Sequence, residues 1–116
     1  MESFYVYANG GYTQLAKPIY LQGEWEVALT QIHIENNDIT PKHFGITANF
    51  VDTSYVDNTT LPILRWVHSL KAEFRLPYYK RVSAIRLSHI HIKLINHELE
   101  PINCGIVDLV LHFRKK

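Results

Sequence analysis

The sequence predicts an all-β domain, and three observations carry that expectation. β-Branched and aromatic residues recur in two-residue alternation, and few windows hold apolar residues at the i, i+3, i+4 spacing of a helix for three turns. Short polar connectors rich in Gly, Asn, Asp and Pro separate the alternating runs.

The first strand is expected over Ser3 to Ala8, ended by Asn9-Gly10-Gly11, where glycine supplies the positive φ of a tight turn. A second runs from Lys17 to Leu21 and closes at Gln22-Gly23. Glu24 to Glu35 is the longest clear strand, with Trp25, Val27 and Leu29 on one face and Glu24 and Glu26 on the other. Its phase then slips, because Ile32 and Ile34 are apolar at even positions. A bulge near Thr30-Gln31, or a strand buried on both faces, accounts for the slip. Asn36-Asn37-Asp38 ends this strand.

After the break at Pro41, Phe44 to Val51 reads as a strand and Asp52 to Thr60 as a polar loop with Asp57-Asn58 at its tip. Leu61 to Val67 and Leu70 to Leu76 form a short pair around His68-Ser69, and Pro77 confines its neighbourhood to an edge or a strand end. Val82 to Ile95 is a second long strand, with Ile90, Ile92 and Leu94 facing one way and His89, His91 and Lys93 the other. In Ile106 to Arg114, Val107, Leu109, Leu111 and Phe113 alternate with Asp108, His112 and Arg114. About eight strands without βαβ alternation favour a sandwich, jelly roll or barrel, with residues 1–116 as one domain.

Bulk properties narrow the function. Apolar residues make up 47% and charged residues 20% of the 116, the balance of a folding globular domain rather than a disordered one. The formal net charge of +1 and the scattered Lys and Arg mark no nucleic-acid surface beyond the short end Arg114-Lys115-Lys116, for which a frayed tail is the simpler expectation. The single cysteine, Cys104, forms no internal disulfide and points to a reducing compartment. No basic region followed by an apolar run opens the chain, and no segment reaches the ~18 apolar residues of a membrane span. Neither classical secretion nor a membrane location is expected.

Candidate chemistry is sparse. His89 and His91 project from one strand face as two metal ligands would, yet a site needs a third donor that the spacing does not supply. Glu24 and Glu26 sit roughly 7 Å apart on one face, a separation compatible with glycoside hydrolysis. Opposite Trp25, Val27 and Leu29, two carboxylates are also what a half-exposed strand requires. Cys104 before Gly105 reads as core or edge packing rather than as a nucleophile. Asn58-Thr59-Thr60 matches a glycosylation sequon, uninformative without a secretory route. No phosphate loop, nucleophile elbow or Cys-x-x-Cys pair occurs. Thus no enzyme activity, cofactor or small-molecule substrate is expected, and no catalytic, cofactor-binding or metal-binding residue is assigned. Seven tyrosines (Tyr5, Tyr7, Tyr12, Tyr20, Tyr55, Tyr78 and Tyr79) are many for one small domain and suit either an interface or the capping of sandwich ends.

Two stretches carry a family resemblance. Ser3-Phe4-Tyr5-Val6, then residues 15–22 and Gly23-Glu24-Trp25-Glu26-Val27-Ala28-Leu29, resemble the opening of the penton-like minor capsid proteins of Polinton/Maverick elements and adintoviruses. Leu61-Pro62-Ile63-Leu64-Arg65-Trp66-Val67, Pro77-Tyr78-Tyr79, the long strand to Ile95 and the stretch from Gly105 to Arg114 are similar to the closing half of the same family, Leu111-His112-Phe113-Arg114 being the most specific piece. The two stretches cover about two thirds of the chain in the family's order, counted on the sequence. The segment from Thr30 to Leu61 is shorter than in that family.

The resemblance implies a single jelly-roll β-sandwich in the virion, assembled in the host nucleus or cytoplasm. Its expected partners are further copies of itself, as a homopentamer or a trimer, and a major capsid protein. The basic C-terminus is a candidate for weak contact with nucleic acid. The short middle segment leaves room for a capsid cement or spike-base protein. A lectin-like or receptor-binding module using Trp66, Tyr78 and Tyr79 is the alternative from another class. Trp25 is expected to anchor the core.

Overall fold

The computed structural model of the chain describes residues 2–35, 43–56, 58–83, 85–102 and 106–116. In chain order the strands are β1 (Ser3–Asn9), β2 (Tyr12–Tyr20), β3 (Trp25–Glu35), β4 (Phe44–Ala48), β5 (Ser54–Val56), β6 (Thr59–Leu61), β7 (Ile63–Val67), β8 (Lys71–Glu73), β9 (Lys80–Arg81), β10 (Arg86–Ile95), β11 (Pro101–Ile102) and β12 (Ile106–Lys115). Among the described residues there is no helix, and every strand pair is antiparallel. The all-β expectation holds.

One sheet runs β1-β12-β3, and the outer edge of β3 takes β8 and β9 in turn. The other runs β10-β4-β7, with β11 and β2 also paired to β10. β5 and β6 form a separate hairpin. Alternation decides which side chains meet between the sheets. Val27, Leu29, Leu109, Leu111 and Phe113 from the first sheet join Phe44, Ile46, Leu64, Ile90 and Leu94 from the second in one buried cluster. Phe50, Leu64 and Phe113 are fully buried there. Burying such side chains is worth about 1.5–3 kcal/mol each, so this shared layer is the main source of stability.

β3 and β12 show how the phase slip is absorbed. Leu111 pairs with Leu29 and Val110 with Gln31, so Thr30 is an extra residue on β3. The bulge lies where the sequence slips. It returns Ile32 and Ile34 to the core side, at 2% and 3% exposure. Thr30 Oγ1 donates to the Val110 carbonyl oxygen at 3.0 Å, and the Phe74 amide donates to the Thr30 carbonyl oxygen at 2.9 Å. The extra residue therefore satisfies its hydroxyl and carbonyl groups and ties β3 to the chain beyond β8.

Several boundaries differ from expectation. β2 begins at Tyr12, not Lys17, and its register against β10 jumps from Leu87↔Ile19 to His89↔Gln14. Pro18, without an amide donor, lies in the part that leaves the ladder. The strand expected over Leu70 to Leu76 is only Lys71–Glu73, and pairing to β3 resumes at Lys80 past Pro77. The long strand expected from Val82 starts at Arg86. Val82 instead forms an isolated bridge with Val51, and its amide donates to the Trp25 carbonyl oxygen at 2.9 Å, so this stretch ties into β3 before the chain joins the second sheet. β4 stops at Ala48, and the expected polar loop contains the β5–β6 hairpin, with Asn58 at a φ of 65° in its turn. Gly10 and Gly11, both at a φ of 82°, form the β1–β2 turn where glycine was expected. Asn36-Asn37-Asp38, Pro41, Asp57, Cys104 and Gly105, read above as turns, breaks or packing positions, lie outside the described residues.

Candidate functional site

The outer faces and loops carry six of the seven tyrosines. Tyr5, Tyr7, Tyr12, Tyr20, Tyr55 and Tyr78 are exposed, and Leu76 and Ile85 with them. On β1 the cause is alternation: Phe4, Val6 and Ala8 point to the core, which turns Tyr5 and Tyr7 outward. Tyr5 stacks on His112 of the neighbouring strand, ring centres 4.5 Å apart. Tyr7 lies near Asp108, whose Oδ1 is buried and has no hydrogen-bond partner among the described residues. Desolvation first, and then the Asp108 charge, raise the Tyr7 phenol above its ordinary range.

Beside this surface, at the end of the sandwich near β9, aromatic rings and cations interleave. A hydrogen bond of 2.8 Å joins the Tyr79 hydroxyl and His112 Nδ1. The Arg114 guanidinium lies 3.4 Å over the Tyr79 ring and pairs with Glu26. Ala28, opposite His112 on this outer face, is fully buried all the same. Burial, and then the charge of Arg114, lower the His112 pKa and so disfavour protonation of its imidazole. Across a cleft of about 660 Å³, Arg65 reaches from β7 over Phe74 at 3.8 Å and Tyr78 at 4.4 Å.

The sequence candidates separate clearly in space. Trp66 and the adjacent pair Tyr78 and Tyr79 line that one cleft. Trp25 is 6% exposed and its Nε1 donates to the Gln22 carbonyl oxygen at 2.9 Å, the placement expected of a core anchor. Glu26 is held by Arg114 while Glu24 is exposed, so the two carboxylates do not converge on a shared cleft. His89 and His91 flank the Tyr12 ring, stacked at 5.4 Å and edge-on at 5.7 Å. Among the described residues no three His, Cys, Asp or Glu side chains are grouped to hold a metal ion. Cys104 lies outside the described residues. Asn58 is exposed at the hairpin turn.

The basic C-terminus is not a frayed tail. Arg114 and Lys115 belong to β12, the Lys115 amide donates to the Glu2 carbonyl oxygen, and the Lys116 amide to that of Glu24. The two stretches that carry the family resemblance also meet here, since Glu26 pairs with Arg114 and Val27 with Phe113 across β3 and β12. Sequence reasoning missed Arg65, whose register partner is the core residue Ile46, and the link from Tyr79 to His112. Alternation on β12 did mark His112 and Arg114 as outward-facing, but no local signal brings residue 79 to them. Against this arrangement, the chain matches no protein-family model, no curated protein and no solved structure.

Proposed function

We propose that the chain is a viral structural protein, a penton-like minor capsid protein whose single jelly roll assembles with copies of itself at capsid vertices. The observation that carries this reading is the strand order. With β8 and β9 taken as one interrupted strand, and the β5–β6 hairpin and β11 set aside, eight strands remain among the described residues. Numbered along the chain, they interleave as first, eighth, third and sixth in one sheet and second, seventh, fourth and fifth in the other. This order supports the jelly-roll part of the reading, because a jelly roll wraps two Greek keys into one sandwich.

Exposed tyrosines support the assembly part of the reading, because tyrosine buries area at an interface while keeping a polar tip. A ring of five closes through heterologous contacts, and a lasting contact of this kind buries about 1,200 Å² or more per pair. The meeting of the two family-like stretches on β3 and β12 supports the family assignment. The virion, assembled in the host nucleus or cytoplasm, is the location this reading gives, and a major capsid protein is the other partner.

A second reading has one observation in its favour. Trp66, Tyr78 and Tyr79 line a single cleft, as a lectin-like or receptor-binding module requires. Electron microscopy of the purified protein, alone and mixed with a co-expressed major capsid protein, separates the two. Closed five-fold rings or decorated vertices support the capsid reading. Isolated particles that bind a glycan array and never close into rings favour the module, and three-fold rings a cement or spike-base protein.

A further inference from the structure

We propose that the cleft bounded by the β5–β6 hairpin, β7 and residues 77–80 binds an extended acidic segment of a partner protein, with carboxylates meeting Arg65 and Lys80. Arg65 occupies a β7 position in register with fully buried Ile46, a place where an aliphatic side chain would complete the core. Its guanidinium instead emerges between the sheet edges, braced by Phe74 and Tyr78, with Nη1 donating to the Leu76 carbonyl oxygen at 3.2 Å. Lys80 Nζ donates to the Ser54 hydroxyl at 3.2 Å. Among the described residues neither cation forms an ion pair with a carboxylate, and no Asp or Glu lines the cleft. Two half-buried cations without acids in a chain of net charge +1 are a local imbalance that a carboxylate-bearing ligand corrects.

The shape of the cleft points to a peptide. Ile63, Leu64, Arg65 and Trp66 line it, and they belong to β7, the terminal strand of its sheet, whose outer edge has no strand partner among the described residues. An extended segment laid along such an edge gains main-chain hydrogen bonds, and its alternate side chains enter the flanking cleft. Tyr55, Trp66 and Tyr78 offer apolar walls between the cations. A nucleic acid needs a run of cations tracking its backbone, which Arg65 and Lys80 do not provide, since Arg114, the third cation lining the cleft, is engaged by Glu26. This inference does not rest on the vertex reading and holds for any oligomeric state.

The test uses a fluorescein-labelled heptapeptide, Glu-Phe-Glu-Leu-Glu-Phe-Glu, with fluorescence anisotropy for affinity and amide chemical shifts of the full chain for location. Saturable binding that weakens with added salt and shifts residues 54–56, 63–66 and 77–80 is expected. Lys80→Ala and Arg65→Met should each weaken it about ten-fold. If Arg65→Met fails to fold, Lys80→Ala decides. Absence of binding, affinity unchanged in Lys80→Ala, or shifts confined to residues 115–116 overturns the proposal. So does displacement by a single-stranded oligonucleotide at lower concentration than by unlabelled peptide, which marks a general polyanion surface.

Discussion

β3 and β12 lie side by side over ten residue pairs, yet they solve the same packing problem differently. β12 keeps strict alternation, so Val107, Leu109, Leu111 and Phe113 all reach the core and Asp108, His112 and Arg114 all face outward. β3 carries one residue more over the same length, and Thr30 absorbs it. The comparison teaches that a bulge separates two halves of a strand that serve different neighbours. Before Thr30, β3 meets β9 and the ring-and-cation cluster around Tyr79; after it, β3 meets β8.

The largest expected effect comes from shifting the phase ahead of the bulge. Deleting Ala28 turns either Trp25 and Val27 or Leu29 out of the core, whereas deleting Thr30 itself leaves Trp25, Val27, Leu29, Ile32 and Ile34 in one regular alternation. The Ala28 deletion should show no cooperative thermal transition by circular dichroism and the Thr30 deletion should keep one, and the reverse outcome would break the account of the bulge. Next comes Trp25→Ala, expected to cost about 3–5 kcal/mol, a large part of a small domain's stability. Urea unfolding measures it, and a wild-type midpoint would remove Trp25 from the core role.

Thr30→Val keeps the bulge and the β-branched shape but loses the hydroxyl donor to Val110. A loss of about 1 kcal/mol is expected, and a loss near that of Trp25→Ala would mean that the hydroxyl itself holds the two halves in register. The smallest effect concerns pH at the cluster before the bulge. His112 has a lowered pKa in the folded protein, so the unfolded chain binds its proton more tightly. Its contribution to stability is fully present above the ordinary pKa of 6.5 and is lost as pH falls below that value toward the folded pKa. His112→Gln should flatten the fall in stability below pH 6.5, whereas an unchanged slope assigns the acid sensitivity elsewhere.

Much of this was legible because it is written in local alternation. The inward faces of β3 and β12, the phase slip at Thr30 and the glycine turn after Asn9 follow from side chains two residues apart. The split of β8 from β9 was hidden, because Thr30 pairs with Phe74 across the sheet and Pro77 sits in the gap. The early start of β2 was hidden as well, since Thr13 and Gln14 look like loop residues until β10 lies beside them. Arg65 in register with Ile46 contradicts simple patterning, and its place between Phe74 and Tyr78 exists only once the two sheet edges approach. The tyrosines signalled a contact surface by their number, but only the strand faces showed which of them point outward.

The central claim is that this sandwich assembles around a symmetry axis, and native mass spectrometry of the purified full chain tests it most directly. A closed homopentamer is the predicted result, with a trimer moving the reading to a cement or spike-base protein. A strict monomer at high concentration that also fails to bind a major capsid protein would contradict the claim.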